Sequence, residues 1–250
     1  MNCYGLIGYP LSHSFSRKYF TDKFKREGIL NCAYKNFPIK NISQLPGLIR
    51  GQADLMGLNV TIPYKELVIP YLDHLDNDVQ EIGAVNTIKI YRHGKNIRLK
   101  GFNTDVDGFR NSITPYITNR KKYALILGTG GASKAAAFAL KKMNFDYTFV
   151  SRNPRSSNQI SYGQLTREIM NRASVIINTS PVGMYPQTEA CPDIPYEYIT
   201  SRHVLFDLIY NPSETLFLAN GKKMGAVIIN GLHMLQIQAE KSWEIWNLTD

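Results

Sequence analysis

The chain's 250 residues suffice for one large domain or two ordinary ones, and 44% hydrophobic with 20% charged residues excludes a disordered polypeptide. No apolar run approaches the roughly 20 residues of a spanning helix, and the N-terminus lacks the plan of a signal peptide, so neither a membrane nor export is expected and a cytoplasmic location is the default expectation. The net charge of +9 comes from scattered Lys and Arg, which reads as a basic surface that draws in small anions rather than nucleic acid, and three distant cysteines outline neither a disulfide framework nor a metal site.

Residues 4–9 read as a buried strand stopped by Pro10, followed by a polar turn at the strand's carboxyl end, where open α/β sheets bind ligands. Phe15, Tyr19, Phe20 and Phe24, with Gly28 as a stop, then predict a helix. Ser14 and Ser16 stand at its start, and from spacing alone they are helix caps before they are ligands of a carboxylate. A strand at 33–37, a short helix at 42–49 and a strand at 55–60 continue the alternation, and Pro63 fits the first turn of a helix. Asn59, Thr61 and Lys65 thus meet at one strand-to-helix junction. A lone lysine there is ordinarily solvated.

A helical pattern over 64–80 leads to Gly83, Asn86 and a β-hairpin whose return strand, 97–102, delivers Asp105 at the opening of a helix over 106–113. An acid in that place is by default an N-cap. A domain boundary is expected between residues 105 and 120.

Residues 123–127 form an apolar strand, Gly128, Gly130, Gly131 and Ala132 a glycine turn, and the following alanines a helix. Against G-x-G-x-x-G/A the third small residue is Ser133, so the motif is as much a tight strand-to-helix turn as a pyrophosphate cradle. The next strand, 147–150, decides between them. An NAD site calls for an acid at its end, about 20 residues past the glycines, whereas this chain has Ser151 and Arg152, with Arg155 close behind, and a guanidinium there complements a 2′-phosphate. A helix over 162–172, a strand at 175–178 ending beside Thr179, a strand at 204–208 running into Tyr210, a helix over 214–221, a strand at 226–229 and an amphipathic helix over 231–248 complete the pattern. The expected architecture is two α/β domains, the first with a mainly parallel sheet, with the C-terminal helix bridging a cleft.

The ordered set Ser14 and Ser16; Asn59, Thr61 and Lys65; Gly83 to Thr87; Gly101 to Asp105; Gly128 to Ala132; Asn178 to Met184; Tyr210; and Gly231 to Ala239 resembles shikimate dehydrogenase along the whole chain. The resemblance implies a substrate domain of residues 1–105 plus 231–250, a Rossmann-like NADP-binding domain of residues 106–230, and reversible reduction of 3-dehydroshikimate to shikimate by NADPH in the synthesis of chorismate and the aromatic amino acids. It further implies that Ser14 and Ser16 bind the carboxylate, that Asn59, Thr61, Asn86, Gln238 and Tyr210 bind hydroxyls, that Lys65 and Asp105 are the catalytic pair, and that Gly231 and Met234 lie near the nicotinamide. The assembly is expected to be a monomer or homodimer.

The chemistry agrees with these roles. Hydride transfer to a ketone develops negative charge on oxygen, and Lys65 can serve there as cation and proton donor, with Asp105 holding the ammonium or sharing its proton. Two departures from the family pattern stand out: Arg17 where proline is usual, and Ser151, Arg152, Asn153 where Asn-Arg-Thr is usual. A quinate/shikimate dehydrogenase using NAD or NADP shares the Lys and Asp pair; a non-catalytic dinucleotide sensor would need no such pair.

Overall fold

Cys3, Gly5 and Ile7 point to one face of strand β1 (Asn2–Gly8) and Tyr4 and Leu6 to the other, and every residue from Cys3 to Gly8 is buried, as a central strand covered on both faces requires. The computed structural model describes residues 1–11, 15–94, 96–117 and 122–248. The chain forms two compact units, Met1–Thr104 with Gln238–Asp250, and Asp105–Ile237. The return crossing between these units thus lies inside the last helix.

In the first unit, β1 is followed by α1 (Phe15–Arg26), β2 (Cys32–Pro38), α2 (Leu45–Gly51), β3 (Leu55–Val60), α3 (Tyr64–Leu67), β4 (His74–Leu75), α4 (Asn77–Ile82), β5 (Thr87–His93) and β6 (Asn96–Phe102). The strands lie in the order β2-β1-β3-β5-β6-β4; three of the five pairings are parallel and the β3·β5 and β5·β6 pairings antiparallel. One face packs Cys3, Ile7, Leu45, Ile49, Leu55 and Leu58 into a core beneath α2, and the other packs Tyr4, Phe20, Phe24 and Tyr34 against Trp243 and Trp246 of the C-terminal helix. That helix lies hard on the sheet. A Cβ on Gly57 would fall 2.3 Å from the Trp246 indole, whose N–H donates to the Ile88 carbonyl at 3.0 Å. Buried Lys23 of α1 bonds Glu27 at 2.9 Å and Glu240 at 2.7 Å, tying α1 to the same helix.

The single helix expected over 64–80 is broken. Pro70 lacks the N–H a continuing helix would use, and the Asp73 carboxylate takes the Leu99 N–H at 2.8 Å and the Arg98 guanidinium at 2.8 Å. The backbone from Asp73 to Asp76 therefore pairs with β6, and α4 starts afresh after Asp76.

The second unit runs α5 (Asp105–Ile113), β7 (Tyr123–Leu127), α6 (Gly131–Lys142), β8 (Asp146–Val150), β9 (Gln159–Ile160), α7 (Arg167–Arg172), β10 (Val175–Asn178), β11 (Val204–Asp207), α8 (Leu216–Lys223), β12 (Val227–Ile229) and the first part of α9 (Leu232–Trp246). Its sheet is wholly parallel, in the order β12-β11-β10-β7-β8-β9. Counted from its own first strand this is 6-5-4-1-2-3, the doubly wound Rossmann order, with the reversal between β7 and β10. Strand β9 is two residues long and unforeseen, and the helix expected over 162–172 starts only at Arg167, where Thr166 caps Ile169 N–H at 3.4 Å. Among the described residues no helix is long and apolar enough to cross a membrane.

Candidate active site

At the reversal point of the second sheet, β7 ends in Gly128, whose φ of +114° suits only glycine, and whose N–H donates to the Val150 carbonyl at 2.9 Å. A Cβ on Gly128 would lie 2.7 Å from the hydroxyl of Thr179, which follows β10 and holds the Leu127 carbonyl by its own hydroxyl at 2.7 Å. The two loops at the switch point therefore interlock. Gly130 is the extended N-cap of α6, with open space where its Cβ would be, and Gly131 and Ala132 begin the helix. The N–H groups of this first turn have no carbonyl behind them in the helix and present the positive end of its dipole.

Ser133 is completely buried and bonds the Gly130 carbonyl at 2.6 Å, so the third small position of the fingerprint is filled by a serine whose hydroxyl is satisfied inside the turn. At the end of β8, Ser151 accepts from the Asn153 N–H at 3.2 Å and Arg152 is exposed. Burial raises the pKa of the Tyr162 phenol while the positive charge of Arg152 opposes the rise. Gly231 donates to the Ile209 carbonyl at 3.0 Å, and a Cβ there would come within 2.1 Å of the Leu208 carbonyl oxygen, so close packing alone demands glycine. Met234 is buried on α9, and Tyr210, half-buried, directly follows Ile209.

In the first unit the polar side chains form one bonded cluster. Asn59 of β3 donates to Ser242 Oγ at 2.9 Å, to Thr87 Oγ1 at 3.2 Å and to the Asn86 carbonyl at 3.4 Å, while its Oδ1 accepts from the Tyr34 phenol at 2.8 Å. Ser242 also donates to the Gln238 carbonyl at 2.8 Å, and its Oγ is hydrogen-bonded to Thr87 Oγ1 at 2.8 Å. Asn86 donates to Gln238 Oε1 at 3.1 Å and to Thr104 Oγ1 at 3.0 Å, and accepts from the Thr104 N–H at 2.7 Å. Asn86 thereby fixes the residue just before Asp105. Both N–H groups of Asn59 are spent inside the cluster, so the remaining lone pair on its Oδ1 is what it can offer a ligand hydroxyl.

Thr61 turns the chain into α3: its N–H meets the Ile7 carbonyl at 2.9 Å and its carbonyl accepts from Tyr64 at 2.9 Å. Its methyl packs where a Cβ of Gly8 would lie, at 2.4 Å. Lys65 is half-buried on α3, whose position is fixed when the Lys65 carbonyl accepts from Val85 N–H at 2.7 Å. Ser16 is the second residue of α1, half-buried; burial pushes the Tyr34 phenol strongly upward in pKa and the Ser16 hydroxyl opposes that rise. Ser14 lies outside the described residues. Asp105 is buried as the first residue of α5, in the second unit, whereas Lys65 belongs to the first. Among the described residues no cluster of His, Cys, Asp and Glu could hold a metal ion.

The residues that sequence reasoning missed are Tyr34, Thr87, Thr104 and Ser242. Tyr34 reads as one more aromatic in a strand, and Ser242 carries one faint signal, its place one helical turn after Gln238.

Residues 6–88 match the family model of the shikimate dehydrogenase substrate binding domain. Over 97% of its length the chain is 41% identical to the NADP(+) shikimate dehydrogenase of Methanococcus maripaludis strain C6, covering 90% of that protein. The crystal structure of shikimate dehydrogenase 1 from Peptoclostridium difficile superposes with a TM-score of 0.85 at 39% identity, over 100% of this chain and 93% of the other. That of shikimate 5-dehydrogenase from Thermus thermophilus, in complex with NADP(H) and shikimate, gives 0.86 at 30% identity, over 100% of this chain and 95% of the other. With identity and fold shared over nearly the full length of each, the chain belongs to the shikimate dehydrogenase family.

Proposed function

We propose that the protein reduces 3-dehydroshikimate to shikimate with NADPH, reversibly, in the cytoplasm, as a monomer or homodimer supplying chorismate and aromatic amino acid synthesis. The first unit, with the end of α9, is then the substrate domain and the second the cofactor domain. The observation that carries the reading is the bonded cluster of Asn59, Asn86 and Gln238, joined through the Val85 backbone to the helix of Lys65.

The residues present fit NADP(H). The glycine turn leaves room at Gly130, α6 offers N–H donors to a pyrophosphate, Thr179 stands across from Gly128, and β8 ends without an acid but with exposed Arg152, which suits a 2′-phosphate. Gly231 and Met234 would flank the nicotinamide. When bound, NADPH supplies the hydride.

The chain's own residues would bind and polarise. Ser14 and Ser16 donate hydroxyls to the carboxylate, and Thr61, Asn86, Tyr210 and Gln238, with the acceptor oxygen of Asn59, orient the ring hydroxyls. Lys65 Nζ would provide positive charge and a proton at the carbonyl oxygen as it becomes an alkoxide and take that proton back when shikimate is oxidised, with Asp105 holding the ammonium or sharing its proton. Purified protein should consume NADPH only when 3-dehydroshikimate is added, with shikimate as product. NADPH binding without that consumption would contradict the reading, and oxidation of quinate with NAD at the same efficiency would favour the broader quinate/shikimate activity.

A further inference from the structure

Asp207, the last residue of β11, is completely buried, and the mechanism above gives it nothing to do. Its Oδ1 accepts from Asn178 Nδ2 at 3.1 Å and from the Ile209 N–H at 3.0 Å, and its Oδ2 from the Thr215 hydroxyl at 2.6 Å. All three donors are neutral. Burial accordingly raises the pKa of the carboxyl to about 6, with the three bonds acting the other way. A leucine would escape that cost of burial, but it could not hold donors from three separate segments.

Each donor heads a loop at the carboxyl edge of the parallel sheet. Asn178 closes β10; with its amide nitrogen held by Asp207, its Oδ1 accepts from both the N–H and the hydroxyl of Ser180, at 3.1 Å and 2.7 Å, folding the turn that carries Thr179 beside Gly128. Ile209 directly precedes Tyr210. Thr215 caps α8, accepting from Leu218 N–H at 3.4 Å. The first two loops are tied again by Tyr185 N–H to the Asn211 carbonyl at 3.2 Å.

We propose that Asp207 is a positioning residue for the reaction: through Asn178 it sets the Thr179 turn and through Ile209 it sets Tyr210, so that one buried carboxylate governs the binding of cofactor and of substrate. The inference rests on the assignment of Thr179 to NADP and of Tyr210 to shikimate. Asp207 itself touches neither.

The two side chains can be exchanged to test it. Asn178→Asp sets two buried carboxylates against each other and should raise the dissociation constant for NADPH at least about ten-fold, the loss of a charge-assisted hydrogen bond. Asp207→Asn leaves one acceptor oxygen for three donors and should raise both that constant and the KM for shikimate by about three- to ten-fold, with kcat at saturation changed less. The double exchange, Asn178→Asp with Asp207→Asn, restores a carboxylate facing an amide and should bring NADPH binding back to within about three-fold of the parent. Recovery of the melting temperature without recovery of NADPH binding would overturn the proposal, as would unchanged constants in Asp207→Asn. Should Asn178→Asp fail to fold, Asp207→Asn and the double exchange still decide. The parent protein is assayed alongside: absent turnover of shikimate defeats the functional reading, whereas normal turnover with unaltered variants defeats only the role of Asp207.

Discussion

The Tyr34 phenol donates to Asn59 Oδ1 at 2.8 Å, and this bond fixes which way round the Asn59 amide stands. The Asn59 nitrogen faces a carbonyl and two hydroxyls, so the orientation that satisfies the cluster leaves oxygen toward the phenol. Tyr34→Phe removes that constraint while keeping the ring stacked on Phe20, 4.6 Å away between centroids. It should raise the KM for shikimate by about five- to thirty-fold, the worth of one or two hydrogen bonds, and leave the KM for NADP within about two-fold. Equal changes in both constants would show a general loosening instead.

Lys65→Ala takes away the cation and proton donor proposed for the developing alkoxide. Turnover should fall by about two to four orders of magnitude with little change in shikimate affinity, read by steady-state kinetics and by equilibrium binding. A collapse of affinity with turnover of the bound substrate preserved would assign Lys65 to binding.

Arg152 is exposed at the end of β8, so its removal should cost little stability and act on the cofactor. Arg152→Ala should raise the KM for NADP by about ten- to a hundred-fold and that for NAD hardly at all, because only NADP carries the 2′-phosphate. Equal effects on the two cofactors would refute that contact.

Asp207 also couples stability to pH. Its carboxyl is raised from 3.8 to about 6 in the folded protein, so the folded state holds this proton more tightly than the unfolded chain. The stabilisation is fully present below about pH 4 and is lost as pH rises through about 6, a loss on the order of 3 kcal/mol. In urea unfolding from pH 4 to 7, the stability of the parent minus that of Asp207→Asn should fall as pH rises. A difference that stays flat would contradict the raised value.

What could be read from the chain alone was local. The strand before Gly128, the glycine turn, the alanine helix and the arginine where an acid would serve NAD all sit within one short stretch, and periodicity and spacing report such neighbours directly. Bonds between distant residues were out of reach. Tyr34 meets Asn59 from another strand, and Ser242 meets Asn59 from the far end of the chain. The apolar positions Val68, Tyr71 and Leu75 suit a helix on periodicity; Pro70 is the one local sign against it, and the bond from Leu99 to Asp73 that draws the following backbone onto β6 has no local signal. Strand β9 was invisible for a simpler reason, since two residues carry no alternation to detect. Gly231 shows the opposite case: read as a neighbour of the nicotinamide, it is also required by its contact with Leu208.

The most direct test of the proposed activity is kcat/KM for the four combinations of shikimate or quinate with NADP or NAD, followed by NADPH or NADH absorbance on the purified protein. Shikimate with NADP should exceed every other pair by at least about ten-fold, the discrimination one charged contact can supply. Equal or greater efficiency for quinate with NAD, or no reduction of either cofactor, would contradict it.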